Sequence, residues 1–185
     1  LYYQPADNKD WVKERLEGRQ RAEDLIKKTP AYIRRISSFP FIRGIGISGS
    51  LSKFYATEQA DVDYFIITQK DRLWISRTLL HLFKKLTFIT GHQHYYCMNY
   101  FVDESALEIN NRNLYAAIET VTIIPVYGLD TIKHFRKANE WIREYLPNHP
   151  NKLITEYLVP EKKESFKALT ESLLNSLTPK KLNKF

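Results

Sequence analysis

The order of apolar and polar positions divides the first third of the chain into two helices followed by two strands. Residues 8–28 and 31–38 combine strong helix formers with helical spacing of apolar side chains, and Pro30 separates them. Segments 41–48 and 61–68 are rich in β-branched residues with apolar positions at a spacing of two. The pattern therefore predicts a helical start that leads into a β-sheet.

The same pattern continues to the end of the chain. It predicts a helix from Asp71 to about Leu86, a third strand over 94–102, a short fourth strand over 107–109, helices over 112–124 and 129–145, and a last helix over 162–177. The last helix carries one apolar stripe, formed by Phe166, Leu169, Leu173, Leu174 and Leu177. We expect this stripe to pack against the body of the protein, with a partner surface as the alternative.

These elements predict an α/β (α+β) fold in which a small mixed β-sheet has helices before, between and after its strands. Residues 1–128 would form the sheet core with its N-terminal helices. Residues 129–185 would form a helical C-terminal extension.

Composition narrows the class of protein. The 185 residues are 43% hydrophobic and 26% charged, which is typical of a globular domain, and Cys97 is the only cysteine, so a disulfide framework is excluded. No apolar run approaches the roughly 18 residues that span a bilayer, so we expect a cytoplasmic protein with no membrane partner. The formal net charge of +7 favours anionic partners such as nucleotides or nucleic acid, although most basic residues alternate with acidic ones as on solvated helix faces.

One motif combines two weak signals into a specific one. Gly49-Ser50 follows the first predicted strand, and after ten residues Asp61-Val62-Asp63-Tyr64 opens the second. Side chains at i and i+2 of a strand share a face, so Asp61 and Asp63 would suit a shared Mg²⁺ or Mn²⁺. The Gly-Ser turn would offer backbone N–H groups and a hydroxyl to phosphate oxygens. Lys53 could also reach a phosphate, with a solvated loop lysine as the alternative.

This motif resembles that of the nucleotidyltransferase superfamily, which shares the DNA polymerase β fold, and looks most like its small bacterial members. The family pattern is a hydrophobic residue, Gly-Ser or Gly-Gly, a gap of about nine to thirteen residues, and Asp-hydrophobic-Asp/Glu-hydrophobic. Ser48 departs from it, since a hydrophobic residue is usual there. The resemblance implies that Gly49 and Ser50 bind a nucleoside triphosphate and that Asp61 and Asp63 hold magnesium. It also implies transfer of a nucleoside monophosphate to an acceptor hydroxyl, with release of pyrophosphate.

The family also carries a third carboxylate on a neighbouring strand, and here the corresponding polar residue is Asn99. Asparagine can bind a metal through its carbonyl oxygen but cannot act as a base. Asn99 is therefore either part of the metal site or a buried amide that ties two strands together. Asp103, Glu108 and Glu119 are the candidates to replace the missing carboxylate.

Three functions remain open at this level. The first is an active nucleotidyltransferase that uses Mg-ATP or another triphosphate, with RNA, a small metabolite or antibiotic, or a protein side chain as acceptor. The second is a catalytically impaired nucleotide-binding or interaction module of the same fold. The third is an RNA-binding or toxin–antitoxin partner protein, which the basic termini and the last helix suggest.

Overall fold

The computed structural model describes residues 9–87, 91, 93–150, 152–161 and 165–177. Within these residues the chain forms seven helices: α1 (Lys9–Lys28), α2 (Pro30–Ser37), α3 (Leu73–Thr87), α4 (Leu114–Thr122), α5 (Leu129–Ala138), α6 (Ile142–Tyr145) and α7 (Ser165–Leu177). It also forms four strands: β1 (Ile42–Ile47), β2 (Asp63–Thr68), β3 (Cys97–Asp103) and β4 (Ile124–Tyr127). In the described part of the chain, no helix has both the length and the apolar character needed to cross a membrane.

The four strands form one mixed sheet in the order β3-β2-β1-β4. β1 pairs antiparallel with both β2 and β4, whereas β2 and β3 are parallel. The connection between the parallel strands contains α3, as parallel pairing requires a long crossover. The predicted mixed α/β fold with flanking helices is confirmed.

Both faces of the sheet are covered by helices, and β2 shows this most clearly. Tyr64 and Ile66 pack into a cluster with residues of α1 and α2, whereas Phe65 and Ile67 pack into a second cluster with residues of α5. Because residues i and i+2 of a strand share a face, Asp63 lies on the face that carries Phe65. The candidate site therefore opens on the α5 side of the sheet.

The fourth strand occupies the interval between the helices predicted over 112–124 and 129–145. Residues 107–109 form no strand, whereas Ile124–Tyr127 pairs with β1 despite Pro125. Proline is tolerated there because β4 is an edge strand of the sheet. The predicted strand at 107–109 is wrong, and its true counterpart contains a residue that usually interrupts sheets.

The predicted helix over 129–145 is divided into α5 and α6 by one buried amide. The side chain of Asn139 accepts hydrogen bonds from the backbone N–H of Ile109 and from the indole of Trp141, at 2.8 and 3.0 Å. Its amide donates to the carbonyl oxygens of Leu107 and Phe135, at 2.8 Å each. Asn139 thus ends α5 and also bonds the 107–109 segment for which the sequence predicts a strand.

The last helix packs with the opposite face from the one expected. Of the five predicted stripe residues only Leu174 is partly buried, whereas Phe166, Leu169, Leu173 and Leu177 are between 58% and 73% exposed, so the prediction that this stripe packs against the body is wrong. Polar contacts hold α7 in place. Glu171 forms two hydrogen bonds with the Arg43 guanidinium, at 2.8 and 2.9 Å, and Lys167 donates to the carbonyl oxygens of Ser37 and Ile42.

Candidate active site

The Gly-Ser turn is joined to the start of β2 by its own backbone. After β1 the chain turns at Gly49, whose φ of +68° belongs to the left-handed region that favours glycine. The N–H of Ser48 donates to the carbonyl oxygen of Asp63 at 2.9 Å, and the Ser52 hydroxyl donates to the carbonyl oxygen of Gly49 at 2.8 Å. The turn is thus fixed in position beside the first residue of β2.

Gly49 lies directly against the carboxylate of Asp63. A Cβ atom added at Gly49 would be 2.5 Å from Asp63 Oδ2, closer than any real side chain allows. The sequence pattern assigns this glycine to the close approach of a phosphate. The structure shows a close approach to the candidate metal-binding carboxylate, so the two halves of the motif are in direct contact.

The Asp63 carboxylate lies in a partly buried environment. Burial raises the pKa of Asp63, and the negative charge of Asp61 raises it further, while hydrogen bonds from Cys97 and Asn99 act in the opposite direction. A carboxylate whose charge is disfavoured in this way would be stabilised by a cation.

Asn99 reaches Asp63 because β3 is irregular at this point. In the pairing of β2 with β3, Tyr64 lies opposite Met98 and Phe65 lies opposite Tyr100, so Asn99 is an extra residue in β3. Its amide nitrogen donates to Asp63 Oδ1 at 2.6 Å. Bulges of this kind redirect a side chain and occur often beside functional sites. Asn99 thus contacts the candidate metal ligand and ties two strands together, but it is exposed, so the expectation of a buried amide is wrong.

Asp61 is placed differently from the expectation. β2 begins at Asp63, so strand alternation does not orient Asp61, which lies in the preceding loop. Its Oδ1 is 2.6 Å from Nδ1 of His94, and both side chains are about half exposed. The two aspartates are near enough for the charge of Asp61 to raise the pKa of Asp63.

A cleft of about 670 Å³ brings most of the predicted residues together. Its walls include Gly49, Ser50, Lys53, Asp63 and Asn99. Asp61 is not among the lining residues. Side chains from further along the chain complete the cleft, namely Tyr100, Asn111, Asn113, Tyr115 and Glu119. The sequence alone gives these residues no role in a nucleotide site, apart from Glu119, because each belongs to a segment that matches no motif.

Glu119 and Lys53 form an ion pair inside this cleft. Lys53 Nζ lies 2.8 Å from Glu119 Oε1 and 2.9 Å from the carbonyl oxygen of Gly49, and both side chains are about one third exposed. Among the described residues, Asp63 and Glu119 are the carboxylates that line the cleft.

The other candidates for the third carboxylate lie elsewhere. Asp103 pairs with Thr68 at the far end of β3 and accepts hydrogen bonds from Ser105. Glu108 forms an ion pair with Arg112. Of the three candidates, only Glu119 belongs to the cleft.

The donors present suit a hard divalent cation. Asp61, Asp63 and Asn99 offer carboxylate and amide oxygens, the ligand types that Mg²⁺ takes in proteins. The described residues contain no group of three or more His, Cys, Asp or Glu side chains arranged around a metal position. Asn99 turns its amide nitrogen to Asp63, and its Oδ1 accepts from the Cys97 thiol at 3.1 Å, so a cation at the two aspartates would take its further ligands from waters or substrate oxygens, as is usual for Mg²⁺.

No protein-family model matches this chain, and neither does any curated protein or solved structure among those searched. The resemblance to nucleotidyltransferases therefore depends on the Gly49–Asp63 motif alone. The geometry of the cleft is the independent observation from which a function can be argued.

Proposed function

We propose that this protein is a magnesium-dependent nucleotidyltransferase, which moves a nucleoside monophosphate from a triphosphate to an acceptor hydroxyl. The observation that carries the proposal is the contact between the Gly49 backbone and the Asp63 carboxylate. This contact supports the proposal because it brings the glycine turn and the Asp63 carboxylate to the wall of one cleft, together with Ser50 and Lys53.

Several residues in and beside the cleft would have roles in this reaction. The N–H groups at Gly49 and Ser50 would donate to the triphosphate, and the exposed rings of Tyr100 and Tyr115 offer surfaces on which a base can stack. Asp63 and Asp61 would hold Mg²⁺, with Asn99 beside them. When bound, Mg²⁺ would neutralise charge on the phosphate oxygens.

The ion pair of Lys53 with Glu119 supplies two further functions. An incoming triphosphate would compete with Glu119 for the Lys53 ammonium, because both are anionic. Glu119 would then be free to accept the proton of the acceptor hydroxyl. The acceptor oxygen bonds to the α-phosphorus as the bond from that phosphorus to pyrophosphate breaks.

A nucleotide-binding module without turnover is the second candidate, and Asn99 is the observation that favours it. Where active family members have a third carboxylate, this chain has an amide that donates to Asp63. Such a module would bind Mg-ATP and release no pyrophosphate. Both candidates bind nucleoside triphosphates, so for both we propose a cytoplasmic location.

The test is calorimetric titration of Mg-ATP and the other three triphosphates into the wild type and the Gly49→Ala variant. Alanine at this position is strained and pushes against the Asp63 carboxylate, so we expect binding at least about tenfold weaker. Gly91→Ala is the matched control, since Gly91 also has a positive φ of 70° but no atom within 4 Å of an added Cβ.

Three outcomes separate the candidates. Binding that Gly49→Ala weakens and Gly91→Ala does not, followed by pyrophosphate release with an acceptor, supports the enzyme. The same binding without release under any acceptor tried supports the module. Failure of all four triphosphates to bind the folded wild type would rule out both.

A further inference from the structure

A second cavity, of about 270 Å³, lies among the end of α4, the helices α5 and α6, and the segment that follows α6. It shares no lining residue with the candidate active site. Its walls carry four cationic side chains, Lys133, Arg136, Lys137 and Arg143, against one carboxylate, that of Glu140. This is a local excess of positive charge inside a concave site.

Arg136 is the half-buried cation at the centre of this excess. Its guanidinium donates to the carbonyl oxygens of Thr120 and Val121, at 3.2 and 2.6 Å. No described carboxylate forms an ion pair with Arg136. Burial accordingly lowers the pKa of Arg136. A charge removed from water without a counter-ion is costly, so an anion at this position would stabilise it.

The remaining cations are only partly neutralised. Lys133 is paired with Asp130 at 2.8 Å. Lys137 and Arg143 are exposed at the rim, and within the described residues neither forms an ion pair. His149 also lines the cavity, where burial and the charge of Arg136 lower its pKa and favour the neutral imidazole. A neutral imidazole can still donate one hydrogen bond.

We propose that this cavity binds the phosphate group of a small phosphorylated compound through Arg136, Lys137 and Arg143. A phosphate matches the site in charge, because several cations face one small volume. The bonds of Arg136 to Thr120 and Val121 use Nη1, so the other nitrogens of its guanidinium are the donors that a phosphate would engage. The volume of the cavity suits one phosphate group with a small substituent. The proposal stands apart from the nucleotidyltransferase proposal, since it uses none of those residues.

The test is a calorimetric titration at constant ionic strength, in which inorganic phosphate is added to the full chain and to two double variants. Lys137→Gln/Arg143→Gln removes two charges from the cavity. Lys70→Gln/Lys85→Gln is the matched control, because it removes two exposed charges elsewhere. Gly49→Ala is included to show that the measured phosphate binding does not occur at the Gly-Ser turn. Thermal melting confirms that each variant is folded.

We expect saturable binding in the wild type, in the Lys70/Lys85 control and in Gly49→Ala. Binding should be at least about tenfold weaker in the Lys137/Arg143 variant, the loss typical of a charge-assisted contact. Absence of saturable binding in the folded wild type would overturn the proposal, and so would an equal loss in both double variants. Binding of a short single-stranded RNA with no binding of phosphate would also overturn it, in favour of nucleic-acid contact.

Discussion

Two carboxylates at opposite ends of β1 differ in what surrounds them. At the start of the strand, Glu171 is bonded to Arg43 and to the N–H of Phe41, and these hydrogen bonds outweigh burial, so its pKa is lowered. Beyond the end of the strand, burial and the charge of Asp61 raise the pKa of Asp63, and the hydrogen bonds from neutral Asn99 and Cys97 offset this rise only in part. The first carboxylate has its cation within the chain, whereas the second has none bonded to it among the described residues. Glu171 is thus neutralised inside the fold, whereas a cation at Asp63 is what the proposed function would add.

The largest expected effect comes from Asn99→Asp, which further disfavours the charge of Asp63. The change replaces a donor 2.6 Å from Asp63 with a second negative charge. We expect the free energy of unfolding to fall by about 2 kcal/mol at neutral pH, a value reduced to allow for the exposure of Asn99. Added Mg²⁺ should recover most of this loss, because two carboxylates would share the cation.

Thermal melting with and without Mg²⁺ measures both effects. The loss corresponds to a decrease of about 4–8 °C in Tm. Asn99→Ala is the control, because it removes the hydrogen bond and adds no charge. Equal recovery of both variants by Mg²⁺ would contradict a metal position shared by residues 63 and 99, and the absence of any effect of Mg²⁺ would contradict a metal position at Asp63.

A smaller effect is expected from Glu171→Gln, which removes the ion pair with Arg43 at the other end of β1. The substitution leaves the partly buried Arg43 guanidinium without its carboxylate, so we expect a cost of about 1.5 kcal/mol. The loss should be local, since α7 is held mainly by Glu171 and Lys167. Hydrogen exchange of the α7 amides should therefore accelerate more than that of β1 and β2.

The exposed Glu58→Gln is the control for this variant and should change neither quantity. If α7 exchanges at the wild-type rate in Glu171→Gln, the polar contacts do not hold this helix.

The smallest effect is expected from Asp63→Asn, and its sign is opposite. The raised pKa means that ionised Asp63 costs stability in the fold, so the neutral amide should raise the free energy of unfolding at pH 7. Thermal melting at pH 7 should show a small increase in Tm, smaller than the decreases in the two variants above. Stability gained by removing an ionised side chain is typical of a functional site.

The pH dependence of stability in Asp63→Asn and Glu171→Gln tests the opposite pKa shifts of the two carboxylates. The folded pKa of Asp63 is raised, so the advantage of Asp63→Asn should shrink as pH falls from that value to the ordinary 3.8. The folded pKa of Glu171 is lowered, so the deficit of Glu171→Gln should persist down to its ordinary 4.5 and vanish only as pH falls through the lower folded value. Melting curves across this range measure the stability of each variant relative to the wild type. If both stability differences disappeared over the same pH interval, the opposite pKa shifts assigned to Asp63 and Glu171 would be wrong.

The motif residues illustrate how far local sequence can lead. Gly49, Ser50, Lys53, Asp63 and Asn99 all stand out in the sequence alone, and all line one cleft. Gly49 and Ser50 lie near Asp63 because β1 and β2 are antiparallel neighbours, so the turn that ends β1 lies beside the start of β2. Strand alternation misplaces Asp61, because the strand begins two residues later.

Other features depend on single long-range contacts. Asn139 bonds to a segment thirty residues earlier and so ends a helix that its own neighbours would continue. The orientation of α7 depends on Arg43 and Glu171, which are 128 residues apart. Periodicity records only how a segment prefers to bury its own side chains, and it carries no information about such partners.

The sequence by itself determined the helices and strands up to β3 to within a few residues, the mixed class of the fold and the Gly49–Asp63 motif. These depend on interactions between near neighbours, such as hydrophobic periodicity and the conformational freedom of glycine. Only the tertiary structure decided that Glu119 pairs with Lys53 in the cleft, that the apolar stripe of α7 faces outward, and that cations of α5 and α6 surround a separate cavity. Each of these is a contact or exposure between segments far apart in the chain, and the free energy that selects it arises only when the sheet brings those segments together.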